Sequence, residues 1–431
     1  MSVEFIIRLF PENVRMTTNN NTSFKNVNSA VQAILSQKFG GEVRLDKGEN
    51  IHPQSLYRYR ILSGPNEIPE TVFVKRKRAR RIRVEWACLQ FLNEQMGENS
   101  VTPCFYGCGY TGKNNVPLIV MEDMGDGQNL RAILLSDDSQ TAKMVLIECA
   151  KALGKINARS IGKAAEFLKI RNSIVRIKER NEDLHSVYTE KLTEICDAAG
   201  VEPCQESFSE LKSLVEFLEP SNRFHGLTHG DLYPVNIYHS TSKSKVYVFD
   251  YEFGHFQHVL VDGFQIRVYL DMWADVSRFP DDIVREMERI YRSELANACP
   301  EAQDDEWYYQ RIIEACVYET IRCIYRFFEP PKAVFSNVIN DRPAGDYEAL
   351  RTDPNYNHWG LPAVRRRVFY RLGMLAQLTE EYGYLQALGA TARKMRDKFS
   401  TIWPAEVQKM PLFPAFHHYL SENNKSTTNN R

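Results

Sequence analysis

What this chain lacks narrows it first. No stretch approaches the roughly 18 uninterrupted apolar residues of a membrane-spanning helix. There is no net charge to speak of: 54 Lys plus Arg stand against 55 Asp plus Glu, a formal −1, so no global field draws the chain to nucleic acid or to an anionic membrane. The N-terminal MSVEFIIRLFPENVRM has no basic start and no small-residue cleavage site, and Arg8 and Pro11 break its short apolar run. A cytoplasmic location is therefore expected. Cysteine is sparse and odd in number, nine in 431 residues. Only Cys104 and Cys108 approach ligand spacing, as C-x3-C with no second pair or His cluster downstream, which favours reduced, mostly buried thiols over zinc.

What is present suffices for a core, with 43% hydrophobic and 11% aromatic residues, and the length favours two lobes or domains. Residues 17–26 and 421–431 are polar and Asn-rich and read as linker and tail. Between them, VRLDKG (43–48), LYRYRIL (56–62) and TVFVK (71–75) alternate as strands do, separated by turn-rich segments. RRIRVEWACLQFLNEQ (80–95) places Val84, Cys88, Phe91 and Leu92 on one helix face, and PLIVMED (117–123) reads as a buried strand. After residue 128 the texture turns helical, in 141–158, in about 164–198 and beyond 280, interrupted by loop and strand pairs between Thr228 and Asp250. The expected organisation is an N-terminal extension (1–26), an antiparallel sheet lobe of five strands and a helix (27–120), a hinge (121–127), a larger, mainly helical C-terminal lobe (128–420) and a tail (421–431).

One stretch carries chemistry. HGDLYPVN supplies His229, Asp231 and Asn236 as H-x-D-x4-N, and KVYVFD brings Asp250 to the end of an apolar strand fourteen residues after Asn236. Phosphoryl transfer needs an acceptor for a hydroxyl proton, oxygen ligands for Mg2+ and a cation on the phosphates. This spacing offers the first two, and Pro234 stiffens the loop between them. The plain alternative is a turn followed by an ordinary strand end.

HGDLYPVNI and VFDYEFG resemble the HGDlxxxNi and (I/F)D(F/W/Y)E signatures of the phosphotransferase family of aminoglycoside phosphotransferases, choline and ethanolamine kinases and CHK kinase-like proteins, over roughly residues 40–270. The resemblance implies an α+β, bilobal protein-kinase-like fold. It implies Asp231 as catalytic base, Asn236 and Asp250 as Mg2+ ligands, and His229, Glu252 and Asp262 as structural support. It further implies that Lys75, ending TVFVK, contacts the nucleotide phosphates in preference to Lys77, with Glu85 as its helix partner. The backbone of Glu122 to Met124 would meet the adenine. The phosphate loop is expected at GENIHPQS, where Gly48 alone replaces G-x-G-x-x-G and Ser55 is the candidate donor.

KRKRARRIR (75–83), seven basic residues in nine, reads as phosphate neutralisation plus solvated charge rather than a nucleic-acid patch. RRR (365–367) reads as a helix face. DDEWYY (304–309) and YNHWG (356–360) are candidates for an acceptor pocket or for core. The expected activity is transfer of the γ-phosphoryl of ATP or GTP, with Mg2+, to a small-molecule hydroxyl acceptor, an antibiotic or a metabolite. Neither a nucleic-acid nor a membrane partner is expected, and nothing indicates the oligomeric state. The rivals are a catalytically silent pseudokinase and a protein kinase; against the latter stand the missing glycines, DYE in place of DFG and the lack of an A-P-E segment.

Overall fold

A computed structural model describes residues 23–24, 26–52, 55–78, 80–97, 100–175, 183–270, 276–325 and 361–419. YNHWG (356–360), most of the 1–26 extension and the 421–431 tail lie outside them. The chain is α+β and two-lobed. Its strands are β1 (Ser23–Phe24), β2 (Arg44–Leu45), β3 (Glu49–His52), β4 (Leu56–Ser63), β5 (Thr71–Arg76), β6 (Phe105–Thr111), β7 (Val116–Glu122), β8 (Gly127–Asn129), β9 (His225–Thr228), β10 (Ile237–Ser240), β11 (Lys245–Val248) and β12 (His255–His258). Its helices are α1 (Val27–Phe39), α2 (Arg81–Met96), α3 (Leu130–Leu134), α4 (Ser139–Ser160), α5 (Ala164–Ile174), α6 (Leu184–Ala199), α7 (Glu206–Leu218), α8 (Leu260–Arg267), α9 (Asp281–Leu295), α10 (Asp305–Tyr325), α11 (Leu361–Tyr382) and α12 (Gln386–Ile402).

The N-terminal sheet has seven strands rather than five. Its order is β1-β6-β7-β5-β4-β2, with β3 also on β4, and β1 runs parallel to β6. The antiparallel five, β3-β4-β5-β7-β6, form the expected lobe. β1 falls in the stretch read as linker, and β6 begins within CFYGC, at Phe105. Glu49–His52, read as phosphate loop, is a strand instead, because its backbone pairs with Leu56–Arg58 of β4.

Side chains of a strand alternate between faces, and here that periodicity sorts the lobe into two cores. Val72, Val74, Leu118 and Val120 face α1 and pack with Ala30, Val31, Ile34 and Leu35. The opposite face carries Lys75 and Ile119, and Ile119 joins α2 in the large core of the helical lobe. Helix α2 is thus anchored to the second lobe. Phe91 meets Phe167 of α5 and Phe256 of β12 edge-on at 5.6 Å, and Phe167 stacks on Phe256 at 4.9 Å. Each such aromatic pair adds about 0.5–1.5 kcal/mol beyond burial. Among the described residues no helix is long and apolar enough to cross a membrane.

Candidate active site

Two short ladders bracket the loop that carries HGDLYPVN. At one end β9 pairs with β12, Thr228 opposite His255; at the other β10 pairs with β11, Ile237 opposite Val248. Phe249 N–H then donates to the Asn236 carbonyl at 3.0 Å. Residues far apart in the chain, 229–236 and 249–254, are therefore held side by side.

Inside the bracket the loop is fixed by hydrogen bonds. His229 donates from Nε2 to the Phe249 carbonyl at 2.8 Å and accepts the Asp231 N–H on Nδ1 at 3.3 Å, a pattern only the neutral Nε2–H tautomer satisfies. Burial pushes its imidazole down to about 4, so it is neutral at physiological pH. The His229 N–H lies 3.1 and 3.2 Å from the two oxygens of Asp262. Asp262 sits in the first turn of α8 rather than capping it, its carboxyl pushed up to about 7 by burial against the pull of His229 N–H and Asn157. Asn157 donates to Leu227 O at 3.1 Å and to Asp262 at 3.4 Å, and takes the Tyr291 hydroxyl at 2.8 Å. Gly230 has φ +73°, and a Cβ there would stand 2.3 Å from the Phe253 carbonyl, so the loop passes where only glycine fits.

Asn236 closes the turn Pro234–Asn236 and spends Nδ2 on the Asp231 carbonyl at 2.8 Å, so Oδ1 is the atom it can offer a metal. Asp250, half-buried with φ +67°, accepts Lys75 Nζ on Oδ1 at 2.5 Å. Lys75 Nζ is also 2.6 Å from Glu85 Oε2. Burial works against the Lys75 charge, yet the two carboxylates hold its ammonium above the usual range; burial pushes Glu85 up to about 7, and with an ammonium at 2.6 Å the ionised pair is the form that holds. Lys77, the competitor, pairs with Glu252 at 3.0 Å, and Glu252 also faces Arg81 at 3.6 Å. Arg81 covers the Phe253 ring at 4.2 Å. The basic run 75–83 thus reaches the segment 250–253 at Lys75, Lys77 and Arg81.

The hinge is braced from both sides. Glu122 N–H donates to Cys104 O, and its carboxylate takes Lys243 at 2.6 Å, Tyr247 at 2.8 Å and Cys104 N–H at 3.0 Å. Asp123 takes a two-pronged contact from Arg58 at 2.5 and 3.0 Å. Against burial, these partners hold both carboxyls below the usual range. The Glu122 N–H is thus already engaged within the sheet lobe. Ser55 precedes β4, its carbonyl taking the Arg76 N–H at 2.7 Å and its hydroxyl lying 2.7 Å from His52 Nδ1.

No protein-family model and no curated protein matches the sequence. Solved structures are similar to it at probability 1.00. A Ralstonia eutropha JMP134 protein named as an aminoglycoside phosphotransferase shares 12% identity at TM-score 0.42, with 85% of this chain and 98% of that one covered. The GDP complex of wild-type aminoglycoside 2'-phosphotransferase-IIIa shares 12% at TM-score 0.40, covering 80% and 99%. A Plasmodium vivax ethanolamine kinase shares 11% at TM-score 0.38, covering 68% and 79%. At such values the functional reading rests on the site itself.

A small cleft of about 40 Å³, partly open to solvent, adjoins Asp231 and is lined by Gly230 to Tyr233, Glu319, Arg322, Arg367 and Arg371, among others. DDEWYY does not line it: Asp305 pairs with Arg292, and Tyr308 lies in the core with its hydroxyl on Glu288. RRR (365–367), read as a helix face, is largely inside, with Arg365 and Arg367 buried and Arg367 in the cleft wall. A charged triplet on an amphipathic helix gives no sign of which residue turns inward until the neighbouring helix is placed.

Proposed function

We propose that the protein transfers the γ-phosphoryl group of ATP or GTP to a hydroxyl of a small molecule. The observation that carries this reading is that the segment ending in Asp250, which holds Lys75 and through it Glu85, is hydrogen-bonded alongside the loop of Asp231 and Asn236. Asn236 Oδ1 and the Asp250 carboxylate are hard oxygen donors of the kind Mg2+ prefers, and they are brought together by the β10–β11 hairpin. Mg2+ bound there would neutralise phosphate charge.

Asp231 is half-buried on a backbone pinned by His229 Nδ1 and Asn236 Nδ2. Its carboxylate accepts the proton of the acceptor hydroxyl as the oxygen bonds to the γ-phosphorus and the bond from that phosphorus to the bridging oxygen breaks. Lys75 supplies the positive charge for the phosphates; Glu85 orients it. Glu252 spaces Lys77 and Arg81 at the cleft edge, and the hinge backbone near Met124 meets the base. The protein is proposed to work in the cytoplasm.

Calorimetry with Mg·ATP and a turnover assay test this. Asp231→Asn is expected to keep Mg·ATP affinity and lose turnover by roughly 10²–10⁴-fold. Full turnover in that variant, or no nucleotide binding by the intact chain, would overturn the assignment.

A further inference from the structure

The hairpin that carries the two proposed metal ligands has a second end, and that end is fastened to the hinge. Pairing of β10 with β11 runs from Ile237 opposite Val248 to Ser240 opposite Lys245. Asn236 and Asp250 flank its open end, where Phe249 N–H meets the Asn236 carbonyl. The turn at its closed end, residues 241–244, is bonded to residues 122–126. A rise of about 3.3 Å per residue makes each arm roughly 10 Å long, so the hairpin is a short hydrogen-bonded bar between hinge and metal ligands.

Glu122, Asp123, Gly125 and Asp126 are all held by it. Thr241 donates its N–H and its hydroxyl to the Asp126 carbonyl at 2.8 and 3.1 Å, and Asp126 N–H donates to the Ser242 hydroxyl at 3.1 Å. The Tyr238 hydroxyl donates to the Gly125 carbonyl at 2.9 Å. Gly125, at φ +76°, leaves no room for a Cβ against the Ser242 hydroxyl. Lys243 makes the charged contact, of the stronger, charge-assisted kind. Its Nζ donates to Glu122 Oε1 at 2.6 Å and to the Asp123 carbonyl at 2.7 Å, and the buried Tyr247 donates its hydroxyl to the same Oε1 at 2.8 Å. The Asp123 carboxylate in turn holds Arg58 of β4. Lys243 therefore joins the second lobe to the two residues at which the sheet lobe ends.

We infer that Lys243 is a positioning residue: by binding Glu122 and the Asp123 carbonyl it fixes the hinge at a set distance from Asn236 and Asp250. The inference rests on the phosphotransfer reading of the same site. On that reading the nucleotide is held at two ends, its base at the hinge and its phosphates at Lys75 and the metal ligands. Two contacts joined in one ligand reinforce each other only when the protein holds their spacing beforehand. The plain alternative is that Lys243 only staples the turn. Its side chain is 38% exposed, and an ion pair of that kind adds little to the fold. A stapling role thus predicts a small change in stability and none in nucleotide affinity.

The test is calorimetry on the full chain with three probes: Mg·ATP, adenosine, and Mg·tripolyphosphate. Lys243→Met is expected to weaken Mg·ATP about 10-fold while adenosine and Mg·tripolyphosphate, which each engage one end, stay within about 2-fold. Lys243→Arg, which keeps the charge, restores Mg·ATP affinity. Glu122→Gln, the second variant, removes the charge from the other partner and gives the same pattern. Equal weakening of all three probes, or unmoved Mg·ATP affinity in a folded variant, overturns the proposal. Hydrogen exchange on the unliganded chain separates this from failure of phosphotransfer. In Lys243→Met the Asp126 and Phe249 N–H groups, at opposite ends of the bar, are expected to exchange about 10-fold faster together. Faster exchange confined to the turn 241–244, or none, overturns the link even if Mg·ATP binds. A wild type that shows the link but binds no Mg·ATP overturns the phosphotransfer reading and leaves the link standing.

Discussion

Two polar clusters are joined to the paired segments 229–236 and 249–254, and they are held together differently. In the first, Lys75, Glu85 and Asp250 set one ammonium between two carboxylates from separate parts of the chain. In the second, His229, Asp262, Asn157 and Tyr291 form a buried chain of hydrogen bonds built largely from neutral groups. Charge answered by charge can be re-paired when phosphates and a metal arrive, because the partners compete on electrostatic terms. A network of buried amide, imidazole and hydroxyl groups has no such alternative, since each donor left unmet costs about 1–3 kcal/mol. On the proposed reading the ligand-responsive half of the site is the Lys75 cluster, and the rigid half is the scaffold beneath Asp231.

The largest effect that would break this contrast comes from Lys75→Met. It leaves Glu85 buried without its cation, which costs about 3–5 kcal/mol for a broken buried pair, read as a shift in the urea midpoint. Lys75→Met/Glu85→Leu recovers most of that stability without recovering nucleotide binding. An unchanged midpoint in the single variant would mean that the pair contributes little to the fold.

His229 sharpens the other half. Its imidazole takes up a proton near 6.5 in the unfolded chain and only near about 4 when folded, because burial disfavours the charged form. Its contribution is present above pH 6.5 and is lost as pH falls towards about 4. The stability gap between wild type and His229→Gln narrows over that window by roughly 3 kcal/mol. A constant gap would show an imidazole that titrates normally.

Gly230→Ala tests the backbone of the rigid half. A positive φ and a carbonyl where the methyl must go cost about 2 kcal/mol or more, with turnover falling before nucleotide affinity does. Equal loss of both would tie the two clusters together. The smallest effect belongs to Lys77→Ala. Its pair with Glu252 is partly exposed, with the lysine side chain 37% accessible, and such pairs contribute about 0–1 kcal/mol. A loss as large as that at Lys75 would mean the two lysines were ranked the wrong way round.

Much of this was legible beforehand. The alternation of TVFVK and PLIVMED located β5 and β7, and the apolar spacing of 80–95 located α2. That Asp231, Asn236 and Asp250 lie close together was legible, because a short loop and a short strand pair link them. The strand Glu49–His52 was not, because its four residues are exposed and lack an apolar face, and only pairing with β4 makes them extended. β6 was hidden by Gly107 and Gly109, which interrupt its apolar alternation. Nor could Asp262 be assigned to the His229 N–H, a partner 33 residues away.

By itself the sequence determined the local chemistry: which residues can take a proton, offer oxygen to a metal or carry charge, and which stretches alternate or repeat. Those properties depend on side-chain type and on spacings of a few residues. Only the tertiary structure decided which lysine meets Glu85 and Asp250, that α2 belongs to the core of the second lobe, and that three arginines of α10 and α11 surround the space beside Asp231. Long-range packing selects one inward face from several that local periodicity allows, and the cleft beside Asp231 is made of such selections.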